Sequence, residues 1–218
     1  MFCSCSEYQH AAERQFTAKK AAKELEAYRH GTLNPTTRLL RDGLLEAGLN
    51  RGSLLDIGGG IGALTFELLD RGVTRATVTD AASAYVQAVG EEAARRNRSA
   101  LVHIVHGDLL NVAEKLASAT VVTLDRVVCC YPFYEPMLQA ATRHAERGFA
   151  FSYPRDRWYV RTALWIENAR RARKSGFRAF VHPPGEMQRI IEDSGFELVS
   201  RRKTAVWAIE IFQRLRTF

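Results

Sequence analysis

The sequence predicts an α/β protein built on a mostly parallel seven-stranded sheet, with helices on both faces and an antiparallel hairpin at the C-terminal end. Three observations predict it. Short apolar runs alternate with segments of helical period from residue 51 onward, the pattern of a parallel sheet with crossover helices. The run Leu54-Leu55-Asp56-Ile57 empties into Gly58, Gly59, Gly60 and Gly62 and is followed by Ala63-Leu64-Thr65-Phe66-Glu67-Leu68-Leu69 at helical spacing, which reads as strand, glycine turn, helix. The last two strand-like runs, near 197–203 and 205–213, are joined too tightly to enclose a helix, so they pair as a hairpin.

The elements follow in order. Residues 7–30 read as one helix, with Phe16, Ala18, Ala21, Leu25 and Tyr28 near one face, stopped by Gly31. Asn34-Pro35 is an N-cap followed by proline at the first helical position, opening a second helix lined by Leu39, Leu40, Leu44 and Leu45. Residues 1–50 are therefore expected to be a helical extension, a lid, over a domain at 51–218. Strands are expected near 53–57, 75–79, 102–106, 120–124 and 148–153 before the hairpin, with helices near 62–71, 84–97, 111–117, 133–146, 158–173 and 185–194.

The glycine turn narrows the ligand. Glycine supplies positive φ without steric cost, and the missing side chains let a ligand approach the backbone. Amides opening the next helix then face a polar or anionic group, so a nucleotide-like ligand is expected. Gly58-x-Gly60-x-x-Ala63 fits the dinucleotide fingerprint, with Asp80 about 20 residues further on, and by itself leaves an NAD-dependent oxidoreductase open. In open sheets ligands sit at the carboxyl ends of the strands, which places Asp56, Asp80, Asp108 and Asp125 along one edge. Asp125 could equally face solvent.

Asp56-x-Gly58-x-Gly60-x-Gly62 resembles motif I of the class I S-adenosylmethionine (SAM) dependent methyltransferases. Asp80, closing Ala76-Thr77-Val78-Thr79, stands where that family binds both ribose hydroxyls, with Ala81 beside it. Gly107-Asp108-Leu109 is similar to the segment whose Asp takes the adenine amino group while the next amide meets the ring. The resemblance implies a Rossmann-like three-layer sandwich, SAM as cofactor and S-adenosylhomocysteine as product. It also sets Asp125 and Arg126 beside the methionine end of SAM. Tyr28 and Arg29 would fold over the cofactor if the first helices form a lid, although Arg29 could merely favour its helix C-terminus.

Length and composition bound the rest. A chain of 218 residues with 46% hydrophobic residues suits one domain plus an extension. No run of about 18 apolar residues implies a membrane span, and Met1 to Glu7 has neither the basic nor the apolar region of a secretion signal. A cytoplasmic location is expected. Cys3 with Cys5 and Cys129 with Cys130 are not spread like a disulfide framework and lack C-x-x-C spacing, so free thiols and no metal are expected. Net charge is +7, of which +6 lies between Arg155 and Arg178, where eight basic residues face Asp156 and Glu167. That segment is either a solvated face or a surface for something anionic: a carboxylated substrate, a lipid surface or RNA.

Phe151-Ser152-Tyr153-Pro154-Arg155-Asp156, the basic helix after it and Phe180-Val181-His182-Pro183-Pro184 are similar to the acceptor side of magnesium-protoporphyrin O-methyltransferases, which esterify a porphyrin propionate. This implies a small, anionic or planar acceptor, O-methylation, and an acceptor side at 154–184. The resemblance implies that the arginines neutralise propionates and that His182 or Tyr153 orients the reacting carboxylate. Many relatives carry His where Cys129-Cys130-Tyr131 stands, a departure from the pattern, and Tyr131, Tyr153 and His182 are the candidate catalytic residues. His182 could equally start the next helix. Burial beside apolar neighbours is expected to raise the pKa of Cys130 and leave it inert. RNA is the alternative acceptor, against which stands the lack of an Asn/Asp-Pro-Pro-Tyr/Phe motif after the fourth strand.

Overall fold

The computed structural model describes residues 5–215, with side chains from Glu7 onward; Cys3 lies outside them. Seven strands form one sheet in the order β3-β2-β1-β4-β5-β7-β6: β1 (Gly52–Ile57), β2 (Val73–Asp80), β3 (Val102–His106), β4 (Ala119–Leu124), β5 (Ala145–Pro154), β6 (Phe196–Lys203) and β7 (Trp207–Arg214). The first five are parallel, and β7 runs antiparallel between β5 and β6. Strand order reverses between β2–β1 and β4, and the resulting crevice opens at the strands' carboxyl ends.

Alternation along the strands makes the two faces. Leu54, Val121 and Ile209 point into one core, shared with α2 (Ala18–Arg29), α3 (Pro35–Glu46), α4 (Ala63–Leu69) and α5 (Ser83–Arg95). Leu55, Val122 and Phe212 point into the other, shared with α6 (Leu109–Val112), α7 (Tyr134–Arg143) and α9 (Pro184–Asp193). This is the Rossmann-like three-layer sandwich. Between β5 and α9 runs α8 (Trp158–Ala172), of which Val160 is the fully buried residue.

The N-terminal part differs from expectation. Residues 7–30 are two helices, α1 (Cys5–Gln15) and α2, because Thr17 leaves the helical region (φ −75°, ψ 161°) and its hydroxyl caps α2 by accepting from the Lys20 amide. In addition α3 packs so closely on the sheet that a Cβ on Gly43 would overlap Ile211 Cδ1. Thus α3 is part of a core layer, and α1 is the element over the strand ends, where Ala12 packs with Ala81 and Phe177. The helix expected at 111–117 is the single turn of α6 and a 3₁₀ turn at Ala113–Lys115.

Candidate functional site

The turn after β1 is bare because nothing else fits. Gly58 and Gly60 have φ of 62° and 57°, which favour glycine, and a Cβ on Gly58 would lie 2.5 Å from Val127 Cγ2. A Cβ on Gly59 would stand 2.6 Å from Val78 Cγ1 and 3.0 Å from Asp56 Oδ2. The neighbouring strand holds this turn: Gly58 and Gly59 N–H donate to the Thr79 carbonyl at 2.7 and 3.2 Å. Gly62, at φ 78°, is the N-cap of α4.

Asp80 is the hinge between turn and sheet. Its Oδ2 accepts the Gly60 amide at 3.0 Å and its Oδ1 the Ala82 amide at 2.8 Å. Burial pushes its pKa up to about 6 against the pull of those two amides. Asp56 is buried at the end of β1, accepting from Thr65 and Thr123 hydroxyls at 2.7 Å each, and burial raises it to about 6 as well. Asp125, after β4, accepts from Ser152 Oγ at 2.7 Å and from the Thr37 hydroxyl. Arg126 follows it at φ 62°, a conformation rare outside glycine, held by its N–H donating to Ser152 Oγ at 2.8 Å.

These groups wall a cavity of about 280 Å³. Asp56, Gly58, Gly59, Gly60, Asp80, Ala81, Asp125 and Arg126 of the expected set line it. The opposite wall comes largely from the two segments expected there, the N-terminal lid and the acceptor side at 154–184, through side chains the sequence did not single out: Tyr8 and Phe16 from the α1 region, Lys20 from α2, and Leu164 and Arg171 from α8, with Trp207 from β7. The signals for it were the lid reading of the N-terminal helices and the resemblance at 154–184, which name segments and not the side chains that reach the site.

Other expected residues lie elsewhere. Tyr28 is buried with its hydroxyl donating to Glu67 Oε1 at 3.3 Å, and Arg29 Nε donates to Glu92 Oε2 at 2.9 Å. They fasten α2 to α4 and α5 rather than covering the cavity. Glu92 also takes Arg95 and Arg96, whose hydrogen bonds hold its carboxyl down to about 2. Asp108 and Leu109 are buried outside the lining, and Asp108 Oδ2 accepts the Tyr131 hydroxyl at 2.7 Å.

The three candidate catalytic residues are likewise turned away. Tyr131 is fully buried behind Tyr8, edge to face at 4.6 Å. Tyr153 donates to Glu210 Oε1 at 2.8 Å on the sheet face opposite Ser152, as strand alternation requires. His182 sits with Nε2 at 3.1 and 3.0 Å from the carbonyls of Val128 and Tyr131; facing two acceptors, that nitrogen carries the proton, and burial lowers its pKa. It pins the turn Val128–Cys130.

That turn corrects one expectation. Cys129 and Cys130 are free thiols with sulfurs 3.5 Å apart. Cys129 is buried and its pKa rises, whereas Cys130 lines the cavity and its thiol is pushed down by the Cys129 hydrogen bond and by Arg171, Arg126 and Lys20.

Comparison with known proteins agrees with this arrangement. The chain is similar in fold to magnesium protoporphyrin IX methyltransferase from Synechocystis, solved with bound S-adenosylhomocysteine, at 18% identity and a TM-score of 0.70, covering 93% of this chain and 98% of that one. An O-methyltransferase family protein from Burkholderia thailandensis matches at 16% identity and TM-score 0.68, over 94% of this chain and 63% of that one. A proposed RNA methyltransferase from Pyrococcus horikoshii matches at 15% identity and TM-score 0.58, over 83% and 84%. No curated protein matches in sequence. The methyltransferase small domain family matches residues 20–147, more than half of the chain and the whole of the glycine turn with Asp56, Asp80, Asp108 and Asp125. The chain belongs to that family and is a SAM-dependent methyltransferase.

Proposed function

We propose that this enzyme methylates an oxygen of a small, anionic or planar acceptor. The observation that carries the reading is the polarity of the cavity. Buried carboxylates, bare backbone and Arg126 stand on the sheet side, and on the outer side two cations, Lys20 and Arg171, stand with the one carboxylate of Glu24, which already accepts the Tyr85 hydroxyl at 2.8 Å.

The residues fit the cofactor. Gly58, Gly59 and Gly60 would let it approach the turn, whose course brings the backbone so close to Val127 and Val78, or so far into left-handed φ, that a Cβ would overlap or strain it. Asp80 keeps lone pairs beyond the two amides it accepts, and with Ala81 would take ribose hydroxyls; Asp125 and Arg126 would meet an ammonium and a carboxylate. When bound, SAM supplies a methyl group already activated on a sulfonium. What this chain adds is position and a dry site. Lys20 and Arg171 would orient anionic acceptor groups, and Phe16, Leu164 and Trp207 would exclude water.

A carboxylate acceptor needs no base, which agrees with Tyr131, Tyr153 and His182 being tied into structural hydrogen bonds. Screening carboxylated and phenolic compounds, planar ones included, for S-adenosylhomocysteine release tests this. Turnover confined to neutral amines or to thiols would overturn it. RNA remains a second reading, favoured by the basic segment. Binding to bulk tRNA with a steep salt dependence, and methyl transfer to it, would support that reading instead.

A further inference from the structure

One helix carries two different surfaces. The inner side of α8 belongs to the cavity: Leu164 and Arg171 line it, and Asn168 exchanges two hydrogen bonds with the Ala179 backbone at 2.7 and 2.8 Å. Its outer side bears Trp158, 79% exposed, and Trp165, 72% exposed. Seven residues is two turns, so both indoles project from the same line of the helix. Thr162, Ala169 and Ala172 continue that line, Ile166 and Tyr159 lie on one flank, and all five are exposed. Of the seven large apolar residues exposed among those described, four are on this helix. A fifth, Val206, is at the hairpin tip fastened to the start of α8, where Arg155 N–H donates to the Val206 carbonyl at 2.8 Å and Tyr159 hydroxyl to Ala205 O at 2.7 Å.

The charge on the flanks selects what covers this face. Exposed Arg157 caps the start of the helix, exposed Arg170 stands in its last turn and exposed Arg173, Lys174 and Arg178 follow its end, and the ion pairs of the helix among the described residues are Arg161 with Asp156 and Arg171 with Glu167. A second copy docked about a twofold axis would bring two segments of +6 together. Duplex or structured RNA would meet indoles at the apex, with the cations set to the sides. A bilayer surface matches both features: indoles seat at the headgroup level while flanking arginines meet anionic lipid phosphates. At 15 residues the helix is about 22 Å long, too short to span, and no helix among the described residues is long and apolar enough to cross a membrane.

We propose that α8 is an interfacial helix that docks the enzyme on anionic membrane surfaces through Trp158, Trp165 and Ile166. Docking of this kind sets the outer wall of the cavity against the lipid, and it holds whatever the acceptor is.

Two of the chain's three tryptophans are on this face, so indole emission reads the event directly. The full chain is mixed with vesicles of equal phosphatidylcholine and phosphatidylglycerol, and with pure phosphatidylcholine vesicles, and followed by cosedimentation and fluorescence. Expected are binding to the anionic vesicles with blue-shifted emission, weakening with salt, and little binding to the neutral ones. Trp158→Ala with Trp165→Ala should lower the partition roughly tenfold or more at an unchanged unfolding temperature. The double variant keeping wild-type partition, or no binding to anionic vesicles, would overturn the proposal. So would a Trp-dependent dimer in sedimentation velocity, or Trp-dependent binding to tRNA, in place of vesicle binding.

Discussion

The two walls of the cavity are built on opposite principles. On the sheet side every group is fixed by its neighbours: a turn where Gly58 and Gly59 have no room for a methyl group, and carboxylates of Asp56, Asp80 and Asp125 that each accept two hydrogen bonds from the protein. On the outer side the residues come from the α1 region, α2, α8 and Trp207 of β7; α8 has Val160 as its one buried residue, and the charged side chains of this wall are long and exposed or half-buried. The difference assigns the work. A wall fixed in advance suits a ligand that is the same in every turnover, because its ordering cost is met in folding. On the reading proposed above, a wall of lysine and arginine suits an acceptor that carries negative charge.

The largest break in that comparison comes from the turn. Gly58→Ala forces a β-carbon into Val127 and a side chain into left-handed backbone, and should destabilise the protein by about 2–4 kcal/mol, read from chemical denaturation. Adding Val127→Ala removes the overlap and leaves the backbone strain. The double variant should therefore lose less in the turn than the single one after the cost of Val127→Ala alone is subtracted. Equal losses would mean that packing against Val127 does not explain the glycine.

Next in size is Asp80. Asp80→Asn removes a charged acceptor and should weaken S-adenosylhomocysteine by about 10–100-fold in calorimetry, the worth of one or two charge-assisted hydrogen bonds. The pH dependence follows from the pKa of about 6, raised above the ordinary 3.8 by burial. A raised carboxyl favours the ligand-free fold at low pH, and that contribution is lost as pH rises through about 6. Ligand hydroxyls that need the carboxylate reverse the direction for binding. Affinity should be flat above about pH 7 and fall as pH drops below about 6, and Asp80→Asn should abolish the slope even though Asp56, with a similar pKa, remains. A slope that survives in the variant would assign it to another group.

How much of this could be read from the sequence depends on whether the determinant was local. The β1 turn was legible because glycines at Gly58, Gly60 and Gly62 leave little else for a strand to become, and the hairpin was legible because a short loop cannot hide a crossover. The break between α1 and α2 was missed since Phe16-Thr17 contains neither glycine nor proline, and only the Thr17 cap marks it. The sequence also named Tyr153, whose side chain points away from the cavity, while its neighbour Ser152 holds Asp125 and Arg126 in place behind the lining. Alternation says that neighbours on a strand face opposite ways, but not which face holds the cavity. Tyr8, Lys20 and Arg171 reach the site from about 40 or more residues outside the motif, so no spacing rule could gather them.

The outer wall gives a smaller effect with a sharper signature. For a carboxylated acceptor, Lys20→Ala with Arg171→Ala should raise KM about tenfold while leaving S-adenosylhomocysteine affinity within about twofold, the result of removing ground-state attraction alone. If both ligands weaken together, the two walls are not independent and the division of work fails.

The smallest expected effect decides whether Tyr153 belongs to either wall. Its hydroxyl donates to Glu210, which is buried on β7, takes Arg201 Nε at 2.7 Å on the same oxygen, and leaves Oε2 without a hydrogen-bond partner among the described residues. Removing the phenol oxygen takes one hydrogen bond from a carboxylate that has few, so Tyr153→Phe should cost about 1–2 kcal/mol of stability. Because the ring points into the core that contains Phe151 and Phe212, kcat and KM should stay within about twofold of wild type when measured well below the unfolding temperature. A loss of kcat at full fold would return this tyrosine to the chemistry and show that the sheet reaches the acceptor from its other face.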